Sequence, residues 1–166
     1  MVLLNEHIVV SGGFDPIHIG HIRMILAASK LGKVIVVLNS DKWLMRKKGY
    51  IFMPWEERAE IIQSINGVEE IVSVDDSDGT VCEALKRLKP AMFGNGGDRT
   101  NKNTPEIALC KELGIKMIWR LGGRKIQSST DLVKEINLDP NQSDDLDVPE
   151  PDRVIIMASS DFSKEP

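Results

Sequence analysis

Two histidines, His18 and His21, stand three residues apart behind the stretch Gly12-Gly13-Phe14-Asp15-Pro16-Ile17. On a helix that spacing puts both imidazoles on one face of the first two turns. Gly20 between them keeps that face low. A helix N-terminus carries unpaired N–H groups and a partial positive charge, so it suits an anion. Two imidazole donors beside it suit the oxygens of a polyphosphate. The element that must position them is the apolar run Ile8-Val9-Val10, which reads as a buried parallel strand. Ser11 and two glycines end the run and permit a tight turn. Asp15 falls where a helix N-cap belongs and Pro16 where a first helical residue belongs.

Three further segments carry phosphate or nucleotide chemistry. Arg46-Lys47-Lys48-Gly49 offers one guanidinium fork and two mobile ammonium groups. Gly96-Gly97-Asp98 exposes backbone that can approach a ribose or base, with a carboxylate to accept from hydroxyls or an exocyclic amine; Arg99 follows. Gln127-Ser128-Ser129-Thr130 opens a helix with three hydroxyls where one would suffice as a cap.

Together these segments resemble the nucleotidylyltransferase superfamily, whose members include glycerol-3-phosphate and ethanolamine-phosphate cytidylyltransferases and heptose-1-phosphate adenylyltransferase. The resemblance covers about residues 7–136 and rests on His18-Ile19-Gly20-His21 behind Gly-x-Phe-Asp at the end of an apolar strand. Asn39-Ser40-Asp41, Arg46-x-Lys48-Gly49, Glu57-Arg58 and Gly96-Gly97-Asp98 resemble the heptose enzymes in the same order. The resemblance implies transfer of CMP or AMP from CTP or ATP to a small phosphorylated acceptor, a sugar or polyol phosphate, with release of pyrophosphate. It implies catalytic roles for His18, His21 and Lys48, with Lys47 the second choice for the lysine. It implies a nucleotide site of Gly12, Gly13, Phe14, Asp15, Gly20, Gly96, Asp98, Gln127, Ser128, Ser129 and Thr130. Asp15, Arg99, Arg120 and Arg124 are the candidates for holding the acceptor. Mg²⁺ is implied as a cofactor carried by the nucleotide phosphates, so no metal-ligand cluster is expected. Two departures stand out. Gln127 replaces a usually apolar residue, and the family's upstream arginine falls on Gly123, leaving Arg120, Arg124 or Lys125 to replace it. Class I aminoacyl-tRNA synthetases share the His-x-Gly-His element, but no lysine-rich loop or anticodon module accompanies it. A non-catalytic nucleotide-binding module of the same fold is the alternative.

Strand-like runs at residues 33–38, 69–74, 91–94 and 116–119 alternate with helical segments, giving an α/β class. The resemblance implies a doubly wound, five-stranded parallel sheet of order 3-2-1-4-5 with helices on both faces. Ligands of such sheets bind where strand order reverses. That point brings the histidine turn beside Gly96-Gly97-Asp98. Residues 42–50 mix charge with large apolar groups and read as a partly ordered loop.

The 166 residues suit one nucleotidylyltransferase domain over 1–137 and an acidic tail over 138–166 that is expected to be largely disordered. The last thirty residues hold eight acids and two bases, leaving nineteen bases against seventeen acids in the body. A near-neutral body without a basic stripe argues against nucleic acid as a partner. Val154-Ile155-Ile156-Met157 is an apolar island in the tail, a candidate edge strand or dimer contact; a homodimer is possible. Cys82 and Cys110 are too widely spaced for a zinc site and are expected to be reduced. No signal peptide or membrane-length apolar run is visible, so no membrane partner and a cytoplasmic location are expected.

Overall fold

The computed structural model describes residues 6–102 and 104–136. The acidic tail and its apolar island lie outside the described residues. The chain forms β1 (His7–Gly12), α1 (Ile19–Ser29), β2 (Lys33–Leu38), α2 (Asp41–Lys48), α3 (Trp55–Gln63), β3 (Val68–Ser73), α4 (Cys82–Leu88), β4 (Met92–Gly96), α5 (Ile107–Leu113), β5 (Lys116–Leu121) and α6 (Ser129–Ile136). All five strands are parallel, in the order β3-β2-β1-β4-β5. The expected doubly wound sheet is therefore the fold.

Its inner strands read as unbroken apolar runs because both faces are covered. Ile8, Val10, Val34, Val36 and Leu38 pack with Met24, Ile25, Ala28 and Ile62 on one side. Val9, Ile35 and Val37 point to the other, where they meet Phe93, Leu85, Leu109 and Cys110. The strand period of two turns one sequence run into two cores. β3, at the edge, exposes two adjacent glutamates, Glu69 and Glu70, as its more polar sequence requires. Cys110 is buried and Cys82 half-buried; both are free thiols.

Two expectations are corrected. Residues 42–50 are not a loop: α2 occupies most of them. Ser40 Oγ accepts from the Trp43 N–H at 3.0 Å and Gly49 closes the helix at φ 81°. The first helix starts at Ile19 rather than Pro16, and its cap is His18 rather than Asp15.

Candidate active site

The carboxyl ends of β1, β4 and β5 and one side of α2 enclose a cavity of about 330 Å³ at the point where strand order reverses. Of the residues expected there, Gly12, Gly13, Phe14, His18, Gly20, His21, Lys48, Gly96, Asp98, Arg99, Arg124, Gln127, Ser128, Ser129 and Thr130 line it. Asp15 and Arg120 do not line it.

The histidines are held by the backbone they cap. His18, extended at φ −145°, accepts the Gly20 N–H on Nδ1 at 3.1 Å. The His18 N–H in turn donates to His21 Nδ1 at 3.2 Å. A nitrogen that accepts from an N–H carries no proton of its own, so each ring is protonated on Nε2. That leaves one Nε2–H donor per histidine for a ligand. The rings stack at 3.8 Å, and Phe14 lies 4.8 Å beneath His21. Phe14 takes φ 51°, which sends its ring into the core while the chain turns above it. Non-glycine residues hold such an angle at a cost of ~1–3 kcal/mol, and they gather at functional sites. Burial and then the Lys125 and Lys48 charges lower the His18 pKa. Burial, then His18 and Lys48, lower that of His21 to about 3. Both imidazoles are therefore neutral donors near neutral pH.

Asp15 does not cap the helix. It is fully buried, and its two carboxylate oxygens accept the Phe52 and Met53 N–H groups at 2.7 Å each. Its carbonyl accepts from Lys48 Nζ at 2.7 Å. Asp15 thus ties the histidine turn to the segment after α2, and both carboxylate oxygens are already taken. Arg58 works beside it. Its buried guanidinium donates to the carbonyls of Met53, Gly13 and Asn39 and pairs with Asp41. Asp76 anchors the other end of α2 through Asn39 Nδ2, the Ser40 N–H and Ser40 Oγ. Sequence offered no signal for these roles, since each joins segments 17 to 45 residues apart.

The opposite wall is built from glycine and an exposed ion pair. A Cβ at Gly97 would collide with the Gly123 carbonyl oxygen, so only glycine lets these two loops meet. Lys125 Nζ bonds Asp98 Oδ2 at 3.1 Å across the same seam. Burial opposes ionisation of Asp98, but the Lys125 hydrogen bond and charge hold its pKa below the ordinary value. Of the three basic residues left open as substitutes for the missing arginine, Arg124 and Lys125 line the cavity, and the Lys125 charge reaches both histidines. Ser129 Oγ donates to the Pro16 carbonyl at 2.7 Å, which fixes the start of α6 against the histidine turn. Arg99 lies 3.5 Å from buried Glu106, which steadies the loop after β4.

The donor set does not suit a protein-held divalent cation. Asp15 is spent on backbone amides and Asp98 on Lys125. Among the described residues no three potential metal ligands cluster. Lysine, arginine and imidazole donors dominate the lining instead, which suits phosphate oxygens. Two lining residues had no sequence cue to their role, Trp43 and Met24. No helix among the described residues is long and apolar enough to cross a membrane.

The FAD synthase of Pyrococcus abyssi is 34% identical over 94 residues, 55% of this chain and 63% of that protein. The bifunctional protein HldE of Streptomyces coelicolor is 34% identical over 115 residues, 66% of this chain and 24% of that protein. The chain thus matches less than two thirds of either relative's length. The crystal structure of a lipopolysaccharide core biosynthesis protein from Thermoplasma volcanium GSS1 has the same fold, at 22% identity and a TM-score of 0.58. It aligns over 69% of this chain and 95% of that one. Residues 9–141 match the cytidylyltransferase-like family, the strand–turn–histidine element included, and the chain belongs to that family.

Proposed function

We propose that the protein transfers a nucleoside monophosphate from CTP or ATP to a small phosphorylated acceptor and releases pyrophosphate. The observation that carries this reading is the pair of neutral imidazoles, each with Nδ1 committed to backbone, set in a cavity otherwise furnished with cations.

An acceptor phosphate oxygen attacks the α-phosphorus in line. The bond from that phosphorus to the bridging oxygen breaks, and pyrophosphate leaves with the electron pair. The attacking oxygen is already ionised, so no general base is needed, and no covalent enzyme intermediate forms. Catalysis is then positioning and neutralisation of charge. His18 and His21 donate through Nε2 to the α- and β-phosphates. Lys48, Lys125 and the start of α6 at Ser128–Thr130 hold the pyrophosphate portion. Gly96, Gly97 and Asp98 take the nucleoside. A Mg²⁺ ion, if carried in, rides on the phosphates.

Support for an acceptor class is divided. The Arg-x-Lys-Gly and Gly-Gly-Asp segments resemble heptose enzymes and favour a sugar or polyol phosphate, while FAD synthases stand among the relatives. Pyrophosphate release, measured with CTP and with ATP against a panel of phosphorylated acceptors, tests the reading. Acceptor-dependent release is the expected result. Nucleotide binding without release under any pairing would leave the non-catalytic module standing in its place.

A further inference from the structure

Glu106 stands just before α5 with its carboxylate sealed inside the protein. A buried carboxylate is costly unless it is paired and hydrogen-bonded. One oxygen, Oε1, accepts the Val81 N–H at 3.1 Å, which fixes the carboxylate against the start of α4. The other, Oε2, faces Arg99 Nη1 at 3.5 Å. That contact is an ion pair without a hydrogen bond, and among the described residues neither atom has a hydrogen-bond partner.

Arg99 therefore has two sides. Nη1 is buried against a carboxylate fixed beside two helices, while the side chain as a whole is 31% exposed and lines the cavity. A guanidinium is a rigid planar fork, so a charge held behind one nitrogen sets the direction in which the others point. The charges around it indicate which part of the cavity it serves. Lys48 and Lys125 are the cations that act on both imidazoles. Burial and then the Arg99 charge lower the pKa of Lys47, on α2. The cavity thus gathers cations in two places, one beside the histidines and one between Arg99 and Lys47. Transfer between two phosphate-bearing molecules calls for two such places.

Resting on the transfer reading above, we propose that Glu106 is a positioning residue, which through its contact with Arg99 aims the guanidinium at the acceptor's phosphate. Glu106 itself does not touch the ligand. Without its charge the fork is free to turn, and the phosphate loses a preset bidentate partner.

The test uses the full chain and two probes in one ³¹P NMR titration. Inorganic phosphate reports on the Arg99 place, and pyrophosphate, added first to saturation, reports on the histidine place. Glu106→Gln keeps an acceptor for the Val81 N–H and removes the charge. It should weaken inorganic phosphate about tenfold, the scale for one charge-assisted hydrogen bond, and leave pyrophosphate within about twofold. Arg99→Gln should weaken inorganic phosphate at least as much. The double variant should match Arg99→Gln within about twofold, because Glu106 acts through Arg99. Unchanged phosphate affinity in Glu106→Gln overturns the proposal. So does an equal loss for both probes, or a further loss when Glu106→Gln is added to Arg99→Gln, since a merely structural carboxylate would behave that way. If Glu106→Gln does not fold, Glu106→Asp decides: it keeps the charge but draws it back, and should weaken inorganic phosphate about threefold, whereas no change overturns the proposal. Pyrophosphate release from CTP or ATP, run in parallel over the acceptor panel, separates the two readings. Release with the same acceptor KM in wild type and Glu106→Gln sinks the positioning role and keeps nucleotidyl transfer. Glu106-dependent phosphate binding without release under any pairing sinks transfer and keeps the Arg99 site.

Discussion

The two walls of the cavity are held by opposite means. The α2 wall hangs on buried charge: Arg58, Asp15 and Asp76 bind four stretches of chain through groups turned away from solvent. The wall made by the loops after β4 and β5 is held by glycine contact and the Asp98–Lys125 pair, whose side chains are half exposed. Buried ion networks cost stability when one partner is removed, whereas exposed pairs contribute little. The first wall is therefore a fixed frame for the histidine turn. The second is a surface whose pairing a ligand can exchange at small cost.

The sharpest way to break that contrast is Arg58→Met. It strands the Gly13, Asn39 and Met53 carbonyls and the Asp41 carboxylate, and should cost ~3–5 kcal/mol in a urea titration. A loss below 1 kcal/mol would mean the frame is not held there. Next come His18→Ala and His21→Ala, each expected to lower turnover by ~10²–10³-fold, the scale for one transition-state donor. His18→Ala should also lose ~1 kcal/mol of stability with its helix cap, a loss visible in the same titration.

Acid should weaken the ligand-free protein through His21. Its folded pKa is about 3 against an ordinary 6.5, so the unfolded chain binds the proton first. Stability from this group is complete above pH 6.5 and declines as pH falls toward 3. His21→Gln should flatten that part of the stability–pH curve; an unchanged curve would show the imidazole is not held neutral. Lys48→Ala should reduce turnover more than nucleotide affinity, because the Lys48 ammonium, docked on the Asp15 carbonyl, acts beside the histidines. Lys48→Arg should not fully rescue it, since a planar fork replaces a point charge. The smallest effect belongs to the soft wall. Asp98→Asn should change folding stability by less than about 1 kcal/mol, the range of exposed pairs.

The contrast also explains what the sequence could reveal. β1, β2 and the histidine turn were legible because apolar runs and a strand–glycine–histidine pattern are local signals. α2 was not, because Leu44 is its only buried residue and its ends are fixed by Asp76 and Asp15, some thirty residues away. Asp15 is the instructive error. Its type and place fit an N-cap, yet backbone N–H groups of Phe52 and Met53 claim its carboxylate, and a histidine caps the helix instead. Arg58 was legible only as part of the Glu57-Arg58 segment that resembles the heptose enzymes; its bonds to three carbonyls come from the fold, which carries it inside. Trp43 faced the same obstacle, since only the helix places it on the cavity side.

The central claim is that the α-phosphate moves and pyrophosphate leaves. It is tested most directly by following radiolabel from nucleotide labelled at the α- or the γ-phosphate, with wild type and the His18→Ala, His21→Ala double variant. The α-label should appear on the acceptor and the γ-label in pyrophosphate, and the double variant should do neither. Recovery of the γ-label on the acceptor, or as free inorganic phosphate, would contradict it.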